Sequence, residues 1–289
     1  VIPIFNRFDE IKNLLNQLEI QSYKNFKVLI VDHGTQDLIL SSPPDKFPIE
    51  VIKASSQLWF TGAVNRGLEH IINSSKTMIK YILIMNDDIV IEDIYFLSKL
   101  LNEGNDQKLV SCMAITNNYK IIYAGIQLEK FKLSYKRLEQ GEKIDQVKNT
   151  KVICDVLPTR CLLVPINIIH KIGFLNEHRL PHYASDYEWT NRAKRYGFQL
   201  VMLNHIYVKT ELNDKEVSGR KKYKSLRSFA EDFLNPYKRN NFYQIVNYSF
   251  LVFNFPYNLL FSSYLIFRKV TGLLISNFIF RYWLSENNT

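Results

Sequence analysis

Cysteine is scarce in this chain, with three in 289 residues. Cys112, Cys154 and Cys161 form no CxxC pair and join no Cys/His cluster at zinc spacing. Such a set excludes a disulfide framework and a structural zinc site, and it fits core thiols in a reducing compartment. A Walker A loop and a GxGxxG fingerprint are also missing, so neither ATP hydrolysis nor nicotinamide chemistry has its motif. There is no internal repeat and no low-complexity tract. No secretory signal is visible, and the chain opens on Val1-Ile-Pro-Ile-Phe5 as though inside a first strand. Negative charge is in short supply: 28 Asp and Glu stand against 37 Lys and Arg, a net charge of +9. That balance favours anionic partners, among them nucleotides, phosphorylated lipids and anionic membrane surfaces. Nucleic acid would suit the charge, but no recognition motif accompanies it.

Apolar periodicity is plentiful. Residues 1–5, 26–31, 49–52, 81–85 and 109–115 are short apolar runs that read as strands, and residues 7–21, 62–74 and 92–101 carry helical patterns between them. Ile11, Leu14, Leu15 and Leu18 make the apolar face of the first helix; Val64, Leu68, Ile71 and Ile72 make that of the second. Strands separated by single helices imply an α/β fold with a Rossmann-like, mostly parallel central sheet and helices on both faces. Beyond Asn117 the rhythm changes. Residues 121–129, 151–157, 161–164 and 198–208 read as strands, and 166–172 and 186–196 as helices closed by Gly173 and Gly197. The basic stretch 130–148 reads as a mobile loop or insertion. From Tyr223 onward the pattern is helical and increasingly apolar.

Chemistry-bearing residues gather at the ends of these runs. Asn86-Asp87-Asp88 closes the run 81–85. It is either an Asp-rich turn before the next helix or a seat for a hard divalent cation at the carboxyl edge of the sheet. Asp32, in Asp-His-Gly, ends a neighbouring strand at the same edge; it is a turn residue or an acceptor for a base or ribose. Gly62 lies near a helix start, where small size and free N–H groups favour anions. Asn65 and Arg66 cap and solvate that helix or face a ligand. Asp186 sits at an N-cap position, and facing the cation edge it would take a proton from an attacking hydroxyl. Glu188 is placed to pair with Arg192 at i,i+4. Trp189 lines a pocket or packs in the core, and His205, on an apolar strand, reads as a satisfied core histidine.

In their order and spacing these motifs resemble the family 2 glycosyltransferases, inverting nucleotide-sugar enzymes of the GT-A fold, and among them the bacterial rhamnosyltransferase-like members. The resemblance runs from Val1 to about Val208. It implies that Pro3, Asn6 and Arg7 belong to the first nucleotide-contacting loop, and that Asp32 meets the uracil or thymine of a UDP- or dTDP-linked donor. Gly62 and Asn65 would lie beside the nucleotide. Asp88 would ligate Mg²⁺ or Mn²⁺, with Asp87 near the metal or donor sugar. Asp186 would be the general base, with Tyr183, Glu188 and Trp189 on the acceptor side. Two departures stand out: Ser185-Asp186 replaces the family's Glu-Asp, and Tyr207-Val-Lys-Thr-Glu211 lacks a His common in the family, with Lys209 as an electrostatic substitute. The implied function is sugar transfer from a nucleotide-diphosphate-sugar to a hydroxyl of a growing, lipid-linked bacterial surface glycan such as lipopolysaccharide. A nucleotidyltransferase and a catalytically idle glycan-binding assembly protein are the alternatives.

The expected domains are a GT-A catalytic domain over 1–222, with a donor half to about 115 and an acceptor half from about 116, then a helical, aromatic and basic region over 223–289. Residues 245–267 carry no charge and are long enough to cross a bilayer. Asn247, Asn254, Pro256 and Asn258 interrupt them, so two shorter helices broken near Pro256 and lying in the interface, flanked by Arg268, Lys269 and Arg281, fit better. A transmembrane or re-entrant segment and a homo-oligomer interface are the other readings. The expected location is peripheral, on the cytoplasmic face of the bacterial inner membrane.

Overall fold

The computed structural model describes residues 1–36, 38, 44–74, 79–129, 134–210, 225–239 and 241–286, with side chains to residue 272. Strands β1 (Ile2–Ile4), β2 (Val28–Asp32) and β3 (Ile49–Lys53) run parallel in the spatial order β3-β2-β1. β2 is buried along its whole length, as a strand covered on both faces must be. Helix α1 (Phe8–Glu19) returns β1 to β2, and α2 (Trp59–Ser74) leads from β3 to β4 (Tyr81–Met85). The strand order steps one way through α1 and the other way through α2, so right-handed crossovers place the two helices on opposite faces. α1 buries Ile11, Leu14, Leu15 and Leu18, the face its periodicity marks. α2 lies close against β1 and β2: a Cβ on Gly67 would stand 2.5 Å from Val1 Cγ1 and 3.0 Å from Val31 Cγ2. Only glycine permits that approach.

Val1 joins this sheet to the next. Its nitrogen donates to the Leu83 carbonyl at 2.7 Å and its carbonyl accepts from Met85 N–H at 3.0 Å, the pattern of a parallel pair. From β4 the order continues through β11 (Cys161–Pro165), β6 (Lys108–Thr116), β12 (Gln199–Thr210) and β10 (Lys151–Ile153). β6 and β12 are parallel, whereas β11 runs antiparallel to both its neighbours and β10 antiparallel to β12. The short β5 (Ile89–Val90) pairs with Thr210 and Lys209 of β12, fixing the chain just after Asp88. Helices α3 (Phe96–Asn102), α4 (Ile166–Ile172) and α5 (Ser185–Arg195) complete the layers. The three cysteines are buried and free.

Several boundaries differ from the sequence reading. The run 121–129 breaks at Ala124-Gly125 into β7 (Ile121–Tyr123) and β8 (Ile126–Glu129). The stretch read as a loop carries β9 (Ser134–Arg137), which pairs with β8, and its Ile144 and Val147 pack against a small core around Met113; residues 130–133 of that stretch lie outside the described residues. His205 is exposed, not core, because the register between β6 and β12 shifts between Leu203 and Tyr207. The expected domain boundary at 222 also lies outside the described residues.

The tail forms α6 (Leu226–Leu234), α7 (Phe242–Val252) and α8 (Tyr257–Glu286), with the break at Pro256 in its expected place and a second helix longer than expected. Tyr248 and Val252 of α7 pack with Leu180 and Phe261, with Tyr135 and Tyr187 at the margin. The tail therefore rests on the start of α5. Among the described residues no helix is long and apolar enough to cross a membrane.

Candidate active site

The carboxyl ends of β1, β2 and β4 lie side by side, and the loops that leave them build one edge of the site. Asn6, at φ 54°, turns its side chain across to the loop after β2: Oδ1 accepts from Thr35 N–H at 2.9 Å and Gln36 N–H at 3.2 Å. Asp32 is 1% exposed and accepts from Gly34 N–H at 2.9 Å, Leu38 N–H at 3.1 Å and Lys53 Nζ at 3.1 Å. It stands at the edge where it was expected, with both oxygens engaged in holding that loop. Pro3, by contrast, is buried inside β1 opposite Val31 and faces no opening.

Asn86, Asp87 and Asp88 turn out of β4. Arg7 Nη1 lies 3.3 Å from Asp87 Oδ1 and 3.7 Å from Asp88 Oδ2, so a single guanidinium spans both carboxylates. Burial pushes the Asp87 carboxyl up to about 6; Arg7 pulls against that shift and Asp88 adds to it. Asn86 Oδ1 and Asp88 Oδ1 are buried and accept no hydrogen bond. Two oxygens left without donors at one turn suit a hard cation, which takes one or two carboxylates from the protein and its remaining ligands from phosphate and water. Among the described residues no three His, Cys, Asp or Glu side chains form a fuller cage.

The opposite edge comes from α5, and most of its acidic motif is spent on packing. Glu188, 2% exposed, pairs with Arg192 at 2.8 Å, and Arg192 also caps the carbonyls of Ile172 and Phe174 at 2.6 and 3.0 Å. Trp189 is fully buried with its indole N–H on the Gly173 carbonyl at 2.8 Å. Both were acceptor-side candidates; their burial leaves only Tyr183 of the three exposed. Thr190 clamps the backbone of Leu157. What remains free to do chemistry is Asp186. Its Oδ1 accepts from Tyr187 N–H at 2.9 Å, and burial raises its carboxyl to about 6, against hydrogen bonds from Tyr187 and Thr159 and the charge of Arg160. Arg160 is the link between the edges, since its carbonyl accepts from Asn86 N–H at 3.0 Å.

Gly62 and Asn65 take structural positions. α2 begins at Trp59, so Gly62 lies within its first turn against Leu58 and Glu177. Asn65 is buried and bonds Leu175 N–H, the Leu175 carbonyl and Glu177. Lys209 is held by Glu92 at 2.6 Å and Tyr119 at 2.7 Å at the β5–β12 junction. A set of rings gathers here, of which the sequence reading singled out only Tyr183. The rings of Phe5 and His33, Trp59 and His182, and His182 and Tyr183 stand 5.3, 5.4 and 4.2 Å apart, and Tyr237 stacks on Trp59 at 4.2 Å. The buried Nδ1 atoms of His33 and His182 have no partner, and burial, with His33 nearby, holds His182 down at about 4. Trp59 and Ala184 carry φ values of 52° and 66°, strain that joins that of Asn6 around one opening. Asp-His-Gly and the His182 motif held a sequence signal for the two imidazoles; nothing in the sequence marked Arg160 or Tyr237.

A family model described as Glycosyl transferase family 2 matches residues 1–161. The chain belongs to that family. Its fold is GT-A, a mixed α/β sheet flanked by helices, followed by additional C-terminal helices. Among solved structures it is similar to GalNAc-T7 with UDP, GalNAc and Mn²⁺, at TM-score 0.56 and 10% identity over 72% of this chain and 42% of that one. It is also similar to the mannosyltransferase PcManGT from Pyrobaculum calidifontis in complex with GDP-Man and Mn²⁺, at TM-score 0.51 and 12% identity over 100% of this chain and 79% of that one. The chain thus spans 42% of the length of GalNAc-T7. Curated protein sequences include no match. The family match covers Asp32 and Asn86–Asp88 and ends before α5, so Asp186 belongs to the part of this chain that the family model does not define.

Asp87 and Asp186 both hold a proton more tightly in the fold than at the ordinary carboxyl value of 3.8. The native state therefore binds more protons than the unfolded chain between about pH 4 and about pH 6, and stability falls as pH rises through that window. Asp186→Asn removes the buried charge and nearly keeps the shape. The variant is expected to exceed the wild type by roughly 1–2 kcal/mol at neutral pH and to match it below the unfolded-state pKa. Urea unfolding at both pH values checks this, and equal stability at neutral pH would count against a buried, raised carboxyl.

Proposed function

We propose that this family 2 glycosyltransferase moves a sugar from a nucleotide-diphosphate-sugar to an acceptor hydroxyl with inversion, Asp186 acting as general base. The observation that carries this reading is the short path between the two edges: Asp186 lies within reach of the Thr159 backbone N–H, and the next residue's carbonyl accepts from Asn86 N–H at 3.0 Å. A carboxyl with pKa about 6 is mostly ionised at neutral pH, and it is a better base than an ordinary carboxylate. It takes the hydroxyl proton as the acceptor oxygen attacks the anomeric carbon, the bond to the diphosphate breaks, and one displacement inverts that carbon. Mg²⁺ or Mn²⁺ would be held by Asp88 with Asn86, and when bound it supplies positive charge to the departing diphosphate. Arg7 adds fixed positive charge at the same edge.

The finer reading is a UDP- or dTDP-linked donor and a lipid-linked glycan acceptor of a bacterial envelope, with the protein peripheral on the cytoplasmic face of the inner membrane. Its support is the tail. Phe255, just before α8, and Tyr257, Leu259, Leu260 and Phe267 in its first half are each exposed, with Arg268 following them. An apolar face edged by cations is the composition of a helix that lies in a membrane interface.

Three outcomes are expected. In a nucleotide-sugar screen with extracted lipid-linked acceptors, the wild type releases nucleoside diphosphate, and Asp186→Asn retains donor binding while kcat falls roughly 10²-fold or more; near-normal turnover removes Asp186 from the role, and pyrophosphate released from a nucleoside triphosphate would mean nucleotidyl transfer instead. Asp88→Ala loses the Mn²⁺-dependent part of donor affinity in calorimetry, and unchanged affinity with and without the ion sinks the metal assignment. The full chain floats with anionic liposomes and a chain ending near Asn235 does not; if neither floats, the tail serves an interface between copies.

A further inference from the structure

The acceptor edge holds an arrangement that proton transfer alone does not need. Three arginines from separate elements converge on the start of α5: Arg137 at the end of β9, Arg160 just before β11, and Arg239 in the segment between α6 and α7. The ring of Tyr135 in β9 stands 5.7 Å from that of Tyr187 in α5, which brings Arg137, two residues on, within electrostatic reach of Tyr187, and Arg239 lies within the reach of Arg137, Arg160, Tyr187 and Tyr183. Arg160 Nε is buried and donates to nothing. None of the three forms an ion pair with a carboxylate among the described residues, although ten other Lys or Arg side chains do. Burial, followed by the charges of Arg137 and Arg160, holds the Arg239 guanidinium below its ordinary pKa, even though the residue as a whole keeps contact with solvent.

Like charges crowded into a partly dry place repel, and a native fold pairs such groups or uses them. Planar guanidinia with free N–H donors match the oxygens of phosphate, which they bind in bidentate fashion. We infer that Arg137, Arg160 and Arg239 form an anion seat beside Asp186 that holds a phosphate or diphosphate group of the sugar acceptor. The inference rests on the glycosyl-transfer reading and names the acceptor's chemical class within it. Arg160 borders the donor edge, where Arg7 and the Asn86–Asp88 turn would receive the donor diphosphate, while Arg137 and Arg239 come from β9 and the tail. Arg239 lies beyond the 1–161 match. A seat that draws one member from beyond the family match suits the acceptor rather than the donor. It also lies where α7 meets α5, within the tail's own packing, so a phosphate carried by a membrane lipid reaches it without leaving the surface.

The test is calorimetry of inorganic pyrophosphate with the full chain in EDTA, which removes any cation-dependent site at the donor edge. The wild type is expected to bind, and Arg239→Gln and Arg137→Gln are each expected to weaken binding at least tenfold, while nucleoside diphosphate with Mn²⁺ is weakened less than twofold. Arg239→Lys, which keeps the charge, is expected to recover part of the loss, and thermal melts confirm that each variant is folded. Equal weakening of both ligands would assign the arginines to the donor and overturn the inference, as would unchanged pyrophosphate affinity in folded variants. Competition separates the sources: phosphatidylcholine vesicles containing a polyprenyl phosphate displace pyrophosphate if the anion is a lipid's, a soluble hexose phosphate displaces it if it is not, and displacement by neither overturns the seat. Donor turnover to nucleoside diphosphate, measured separately, tells failure of this seat from failure of the glycosyl-transfer reading.

Discussion

The antiparallel pairing of β11 with β4 is the constraint on which the site depends. Met85 stands opposite Cys161, so the last residue of one strand meets the first residue of the other, and the Asn86 N–H closes on the Arg160 carbonyl beyond them. The cation turn leaves β4 at the point where the segment leading from Thr159 enters β11. Had β11 run parallel to β4, its entry would lie beside Tyr81, about 16 Å away at the rise of a five-residue strand. Asp186, which touches the backbone of Thr159, would then stand at the wrong end of the sheet. One reversal of strand direction therefore brings the Asn86–Asp88 turn and the residue that faces Thr159, Asp186, to the same end of the sheet.

Charge is sorted by edge around that junction. The donor edge collects Asp87 and Asp88 under one arginine, Arg7. The acceptor edge sets a single carboxyl, Asp186, among three arginines. Neither arrangement is favoured by folding. Two carboxyls raised to about 6 each cost stability at neutral pH, and guanidinia brought near one another repel. The cost falls where binding would remove it: a cation and a diphosphate on one side, a hydroxyl proton and an anion on the other. Stability given up at the site is recovered in the long buried strands β2, β6 and β11, whose burial is nearly complete.

The sequence was most legible where one face of an element must be apolar. α1 buries the four residues that its spacing marks, and Asp32 and Asp88 lie at the edge that alternating strands and helices imply. Strand direction was not legible, because Cys161-Leu-Leu-Val164 reads the same whichever way it runs. The α5 motif was legible in its pairing and not in its burial. Glu188 and Arg192 satisfy each other at i,i+4, and a pair so satisfied can be buried as readily as exposed, which periodicity cannot distinguish. The arginine seat was invisible for the plainest reason: Arg137, Arg160 and Arg239 are separated by 23 and 79 positions, and only tertiary packing brings them together.

The two departures from the family pattern find different physical accounts. Ser185, where the family carries Glu, is buried at 1% exposure and shares a 2.8 Å hydrogen bond with the Thr61 hydroxyl. Thr61 spends its one proton on the Leu180 carbonyl, so Ser185 is the donor, and the bond ties α5 to α2. A glutamate there would set a charged acceptor against the Thr61 oxygen where the serine supplies a donor, so the serine belongs with Thr61 as a pair. Lys209, the proposed substitute for the missing His, is committed to Glu92 and Tyr119. Its charge is already balanced, and it steadies β5 behind the cation turn without adding to the field on the diphosphate. The positive charge that the donor edge retains is that of Arg7, whose hold on Asp87 and Asp88 must loosen as a cation arrives. The guanidinium so released lies at the end of β1, beside the turn where a diphosphate would meet the cation.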